Sequence, residues 1–330
     1  MANIAVLGAG SWGTALALQL ARNAHNITLW AHRREHAAAL GEARENRRYL
    51  PGIPLPPNLA ISHDLAASVR AAELVLAVVP SRAFAGLLAD LKPHIQQTPL
   101  MWAIKGFEAG SGRLLTDVFM ETLGEHPHAI LAGPSFAKEV AAGQPTAVTI
   151  AARDDALAQT FARYFHGSNF LCYTSHDLTG VQIGGAVKNV IAIATGIADG
   201  LGCGANARAA LVTRGLREIT RLATALGAQE ETLTGLAGMG DLVLTCTDDQ
   251  SRNRRFGLAL GRGESAAAAK AAIGQVVEGE GATHDTYALA QQHGIRMPIT
   301  EHLHHMLAGS RSLEDTFASL LARNIKQERH

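Results

Sequence analysis

The sequence predicts an α/β protein, an N-terminal doubly wound sheet followed by a C-terminal all-α part, and three observations carry that expectation. A short apolar run, Ile4-Ala5-Val6-Leu7, leads straight into a glycine-rich turn and then a helical pattern. Continuous apolar runs of strand length recur as far as Cys172, with helical stretches between them. Runs apolar on both faces are those of parallel sheets covered by helices on each side. Beyond about residue 178 the strand signal stops and long Ala/Leu/Arg-rich helices take over. The expected domains are 1–178 and 179–330.

The first element reads as strand, turn and helix: Ile4 to Leu7, then Gly8-Ala9-Gly10-Ser11-Trp12-Gly13, then Thr14 to Ala21. Gly8 permits the tight turn, Gly10 lets backbone approach a pyrophosphate, and Gly13 lets helix and strand pack. The helix N-terminus offers its unpaired N–H groups to the phosphates. A second strand, Ile27 to Trp30, completes a Rossmann-type dinucleotide-binding unit. NAD-binding units usually place Asp or Glu after that strand to hold the ribose 2′-hydroxyl. Here the residues are Ala31-His32-Arg33-Arg34, two guanidiniums and no carboxylate. That favours NADP(H), with NAD(H) left possible because Glu35 stands one residue further on.

Arg44-Glu45-Asn46-Arg47-Arg48 reads as a mostly solvated helix end, and the proline-rich Leu50 to Pro57 as a rigid loop within the first domain. Strands follow at Glu73 to Pro80, Leu100 to Ile104, Ala129 to Leu131, Ala147 to Ala151 and Phe170 to Cys172, with a helix from Asp154 to Phe165. In the second part, Ala205 to Leu226 and Ser265 to Ile273 read as helices.

With 330 residues, 47% of them hydrophobic, the chain can bury two sizeable cores. Its 29 basic residues balance 29 acidic ones, and no basic stripe points to nucleic acid or a membrane surface. Cys172, Cys203 and Cys246 are odd in number and lack CxxC spacing, so neither disulfides nor zinc is expected. They fit a reducing cytoplasm, as does the lack of an uninterrupted apolar run of eighteen residues or a basic leader. His302-Leu303-His304-His305 invites a metal reading, but no Asp, Glu or Cys completes a site nearby. A surface histidine cluster, and no metal, is the expectation.

The candidate chemistry centres on Lys188, within Gly184-Gly185-Ala186-Val187-Lys188-Asn189-Val190-Ile191-Ala192. On a helix its neighbours three and four positions away are Gly185, Gly184, Ile191 and Ala192, so no side chain of that helix can pair with the ammonium. A lysine stripped of water and counter-charge has a lowered pKa and can move protons near neutrality. The plainer alternative is a lysine that snorkels to solvent.

Other polar residues stand at strand ends or in glycine-rich turns. Lys105 follows a strand and precedes Gly106, at the carboxyl edge where parallel sheets bind ligands. Gly133-Pro134-Ser135 also follows a strand, and Ser135 suits a phosphate donor or a helix cap. Asp241 follows Gly238-Met239-Gly240 and suits a cap or a partner for a buried lysine. Ser251-Arg252-Asn253 presents hydroxyl, guanidinium and amide at a helix start, a good anion cradle.

Taken in order, GAGSWGTALA, AIKGFE, LAGPSFAKEVAAGQPTA, GGAVKNVIAIATGIADGLG, TGLAGMGDLVLTCTDDQSRNRRFG and QVVEGEGA resemble the bacterial soluble NAD(P)-dependent sn-glycerol-3-phosphate dehydrogenases over nearly the whole chain. The resemblance implies Lys188 as proton acceptor, with Lys105, Gly133, Ser135, Asp241, Ser251, Arg252 and Asn253 contacting glycerol 3-phosphate. It implies dinucleotide contacts from Ser11, Trp12, His32, Arg33, Tyr49, Lys105, Ala137, Arg252, Val276 and Glu278. A homodimer and a role in supplying glycerol 3-phosphate for phospholipid synthesis are implied in the same way. One departure is Gly204-Ala205-Asn206, where many members carry Asp before Asn, so Ala205 lacks whatever local contact that acid makes. Two other readings stand beside this one. A different hydroxy-acid or hydroxyacyl dehydrogenase would not need the Ser251-Arg252-Asn253 cradle, and a non-enzymatic NADPH sensor would not need an unpaired lysine in an apolar helix.

Overall fold

The computed structural model describes residues 1–313 together with 315, 316 and 319. Among the described residues there are ten strands: β1 (Asn3–Leu7), β2 (Asn26–Trp30), β3 (Glu45–Asn46), β4 (Leu50–Pro54), β5 (Leu59–Ser62), β6 (Leu74–Ala77), β7 (Leu100–Trp102), β8 (His128–Ala132), β9 (Thr146–Ala151) and β10 (Phe170–Ser175). Eight form one sheet in the order β10-β9-β8-β7-β6-β1-β2-β5, and β3 pairs with β4 in a small hairpin. Strands β1, β6, β7 and β8 are buried along almost their whole length, the two-sided burial expected of apolar runs under helices. Between β1 and β6 the winding reverses, since β2 and β5 lie on one side and β6 to β8 on the other. Ligands of such sheets bind outside the carboxyl ends of the strands at that reversal.

The sheet departs from a purely parallel one. Strand β9 runs antiparallel to β8, in register Ile130↔Ala151 through Ala132↔Thr149, and β10 runs parallel to β9. Apolar runs carry no signal of direction, so sequence reasoning had no access to this. Three further differences concern residues 44–62. The proline-rich stretch is in part strand β4, paired with β3, and β5 carried no strand signal strong enough to be read. Nor is Arg44 to Arg48 a solvated helix end: Arg44 donates to the carbonyls of Leu55, Pro56 and Leu59, and Asn46 is buried.

From Leu178 onward the described residues form helices and turns. The helix Leu178–Gly200 begins at Asp177, whose carboxylate caps the Gly180 N–H at 2.7 Å. It is long and apolar enough to cross a membrane, yet its apolar stretch is buried inside the protein, as befits a helix apolar all round. Its central lysine breaks the apolar run. The helix Arg252–Gly261 lies against it at backbone contact. A Cβ on Gly196 would collide with the Arg254 carbonyl, and one on Gly257 with the Ile193 carbonyl. The missing side chains on both helices are what permit that approach. Elsewhere in this part, the Glu218 carboxylate is buried and accepts from the Ile299 and Thr300 N–H groups, capping the helix Pro298–Leu307.

Candidate active site

Gly8 sits at the carboxyl end of β1 with φ of +125°, and any Cβ there would meet the Val78 carbonyl next to β6. At Gly13 a Cβ would strike the Gly8 carbonyl, so this glycine serves helix packing. Gly10 differs: its φ is −79° and nothing lies within 4 Å of the Cβ position. Neither strain nor crowding inside the protein requires glycine there, which leaves close approach of a ligand as its use. Ser11 and Trp12 open the helix Ser11–Arg22, and the buried Trp12 indole N–H has no hydrogen-bond partner among the described residues. An open backbone turn with an unused buried donor fits a dinucleotide phosphate.

At the end of β2, His32 and Arg33 are exposed, and Arg33 Nη2 donates to the Tyr49 hydroxyl at 3.3 Å. Tyr49 is ringed by His36, edge-on at 5.3 Å, and by the Arg48 guanidinium, 5.2 Å from the ring centre. Glu35 lies in the first turn of the helix Arg34–Ala43 and is exposed. The guanidiniums of Arg33 and Arg48 therefore both stand beside Tyr49.

A second polar cluster is built around Asp241. This residue is the first of the helix Asp241–Thr247, preceded by a π-helical turn at Leu236–Gly240, and is 1% exposed. Its carboxylate does not cap the helix. One oxygen accepts from Lys188, and the other accepts from Lys105 at 2.8 Å. Lys188 is 5% exposed, which rules out snorkelling, and also donates to the Thr245 hydroxyl at 2.8 Å. Thr245 in turn donates to the Asp241 carbonyl. Burial is the largest influence on the Lys188 ammonium and lowers its pKa to about 7, with Asp241 opposing and Lys105 assisting. Lys105 also donates to the Gly133 carbonyl at 3.1 Å, which the Ser135 hydroxyl shares at 2.9 Å. Ser135 is thus not a helix cap; the helix Ala137–Ala142 starts from Phe136 instead.

Ser251 does cap the helix Arg252–Gly261, accepting from the Arg254 N–H. Asn253 accepts from the Gly279 N–H and donates to the Asn189 side chain, both at 2.9 Å, which leaves one side-chain N–H for a ligand. Arg252 is half-buried and reaches Gln275 at 3.4 Å. Burial raises the Glu278 carboxyl pKa, while Arg252, Lys105, Lys188 and Arg82 pull it down, which places it among these cations. Val276 is 39% exposed.

Two family models match most of the chain. The NAD-dependent glycerol-3-phosphate dehydrogenase N-terminus matches residues 3–158 and the C-terminus of the same family matches residues 177–318. This chain belongs to the NAD-dependent glycerol-3-phosphate dehydrogenase family. A relative from Pseudoalteromonas translucida, glycerol-3-phosphate dehydrogenase [NAD(P)+], is 52% identical over 328 residues, 98% of each chain. One from Pectobacterium carotovorum with the same description is 52% identical, over 99% of this chain and 97% of its own. The crystal structure of glycerol-3-phosphate dehydrogenase from Coxiella burnetii superimposes with a TM-score of 0.95 at 47% identity, covering 98% and 99% of the two chains. A ketopantoate reductase from Ralstonia eutropha shares the fold alone, at TM-score 0.60 and 20% identity.

Ala205 is exposed in the first turn of the helix Gly204–Ala225. Sequence reasoning missed Thr245 and Asn189. Thr245 lies four residues after Asp241 on the same helix face, a spacing that could have pointed to it. Asn189 has a buried Nδ2 without a hydrogen-bond partner among the described residues, an unused donor next to Lys188. The histidine cluster is not purely superficial: His304 stacks on Tyr287 at 4.1 Å and bonds to His284 at 2.9 Å. Among the described residues no group of three or more His, Cys, Asp or Glu is placed to hold a metal ion. Burial pushes the Cys246 thiol up to about 12, so it is no nucleophile at neutral pH.

Proposed function

We propose that this chain interconverts sn-glycerol 3-phosphate and dihydroxyacetone phosphate with NAD(P)(H), NADPH preferred, and that Lys188 accepts and returns the proton. One observation carries the assignment: a buried lysine, titrating near neutrality, held by Asp241 and Thr245 beside a second lysine. When bound, the nicotinamide supplies or takes the hydride at the substrate C2. A neutral Lys188 has two N–H groups, which Asp241 and Thr245 engage, leaving the amine lone pair for the substrate hydroxyl proton. In the reverse direction the ammonium gives that proton to the C2 oxygen as hydride arrives at carbon, so the charges balance. Lys105, with one donor unused by Asp241 and Gly133, polarises the same oxygen. Arg252, with the remaining Asn253 and Asn189 donors, holds the phosphate. Binding energy from that group positions the reacting carbon. The division into a nucleotide domain of residues 1–178 and a helical substrate domain of 179–330, the cytoplasmic location and the homodimer belong to the same proposal.

The deciding experiment follows absorbance at 340 nm with dihydroxyacetone phosphate, using NADPH or NADH, beside dihydroxyacetone without its phosphate. Oxidation that requires the phosphate and runs faster with NADPH is expected. Equal rates with the unphosphorylated ketone would remove the cradle assignment, and no oxidation by either cofactor would remove the reaction.

The Lys188 value sets a pH dependence whose direction differs between the two reactions. Oxidation of glycerol 3-phosphate needs the neutral amine, so its kcat/KM should rise with pH through about 7 and then level. Reduction needs the ammonium, so its kcat/KM should fall through the same region. Since Asp241 raises the Lys188 pKa, Asp241→Asn should move both midpoints to lower pH. Profiles of both directions check this, and midpoints that stay put in Asp241→Asn would detach them from Lys188.

A further inference from the structure

Asn46 is 1% exposed and sits in the hairpin strand β3, far in sequence from the glycine turn. Its Nδ2 donates to the Ala9 carbonyl at 3.1 Å and to the Thr14 hydroxyl at 2.8 Å, while its Oδ1 accepts from the Tyr49 N–H at 3.2 Å. The Ala9 carbonyl has a second donor, His36 Nε2 at 3.0 Å. A carbonyl can only accept, so His36 carries its proton on Nε2 in this contact. In a turn that binds phosphate through backbone N–H groups, carbonyls facing the anion would repel it. Two donors on the Ala9 carbonyl fix its direction. The same Asn46 side chain sets the backbone of Tyr49, which touches Arg33, Arg48 and His36. A surface cavity of about 740 Å³ lined by Arg33, His36, Asn46 and Arg48 lies along this path.

We infer that Asn46 is a positioning residue that couples the two ends of the dinucleotide site, aligning the Gly8–Gly13 turn and seating Tyr49 beside Arg33. This rests on the reading that the turn takes the pyrophosphate and that Arg33 and Tyr49 face the adenosine ribose. Asn46 touches no reacting atom, so its loss should affect cofactor binding and cofactor choice and leave the proton chemistry alone.

The test measures NADPH and NADH Kd by fluorescence titration, together with kcat, the dihydroxyacetone phosphate KM and Tm, for Asn46→Ala and Gly10→Val. Gly10→Val should fold, given its open Cβ position and ordinary φ, and should lose NADPH binding because its side chain fills the pyrophosphate approach. Asn46→Ala should weaken NADPH by about tenfold, the worth of one to two hydrogen bonds, and narrow the NADPH to NADH preference, with kcat at saturating cofactor kept within about twofold. A lowered Tm with unchanged Kd values and unchanged preference would overturn the positioning role while the turn assignment stands. Normal NADPH binding by Gly10→Val would overturn the turn assignment and the coupling together. Should Asn46→Ala fail to fold, Asn46→Leu keeps the shape and removes the hydrogen bonds without adding a charge beside the turn. It is expected to weaken NADPH at least as much, and an unchanged Kd there would overturn the inference equally.

Discussion

Lys188→Ala is expected to lower kcat by about 10³-fold, within the span of 10² to 10⁴ typical for removal of a positioned acid or base. NADPH affinity should stay within about twofold, because the glycine turn and the Arg33 corner lie on other elements. The variant should fold. Asp241 is 1% exposed and would be costly to leave unpaired, but it keeps Lys105 at 2.8 Å and so is not stranded. Single-turnover rates at saturating NADPH and dihydroxyacetone phosphate, with NADPH titration and thermal melts alongside, check all three statements. Turnover that survives would remove Lys188 from proton transfer. Loss of turnover together with NADPH binding would mean that the side chain acts on the fold and not on the chemistry.

The second large effect concerns stability. Gly196→Ala places a methyl group against the Arg254 carbonyl and the Leu258 N–H, both backbone and both inside a regular helix, so neither can swing away as a side chain would. The helices Leu178–Gly200 and Arg252–Gly261 must then part. Overpacking of a well-filled core usually costs about 1 to 3 kcal/mol, and backbone-on-backbone collision belongs at the upper end. A loss of about 3 kcal/mol is expected, read from the urea midpoint. Because the second helix carries Arg252 and begins at Ser251, the dihydroxyacetone phosphate KM should rise more than kcat falls. Gly41→Ala is the matched control. It lies within the helix Arg34–Ala43 with nothing within 4 Å of its Cβ, and should gain about 0.5 to 1 kcal/mol. Similar losses at both positions would mean that the helix crossing is less tight than described.

Much of this protein was legible before any tertiary contact was known. The glycine turn after β1 declares itself because strand, turn and helix are adjacent in sequence and each glycine has a separate steric reason. The apolar runs located β1, β2 and β6 to β10, and the solitary Lys188 was conspicuous because local spacing alone excludes a partner on its own helix. Residues 44–62 were poorly legible for the opposite reason. Asn46 and Arg44 satisfy backbone groups elsewhere in the domain, and a polar residue buried by distant carbonyls looks, in sequence, like one on a solvated surface. The Asp241 and Ser135 caps failed likewise: short polar side chains after a glycine or proline have several local uses, and only the nearest donor decides among them.

The sequence by itself determined the elements outside residues 44–62, the glycine turn, the basic corner after β2 and the isolation of Lys188, since each depends on residues close together along the chain. Only the tertiary structure decided that Asp241, 53 residues from Lys188 and 136 from Lys105, stands between the two lysines with Thr245 completing the set. It also decided that β9 reverses direction and that Asn46 reaches the glycine turn. Local propensity and periodicity act over a turn or a strand, whereas which distant side chains meet is set by how buried surfaces fit together. The acidity of Lys188 arises at that second level, because it depends on the water and charges that packing removes or brings close.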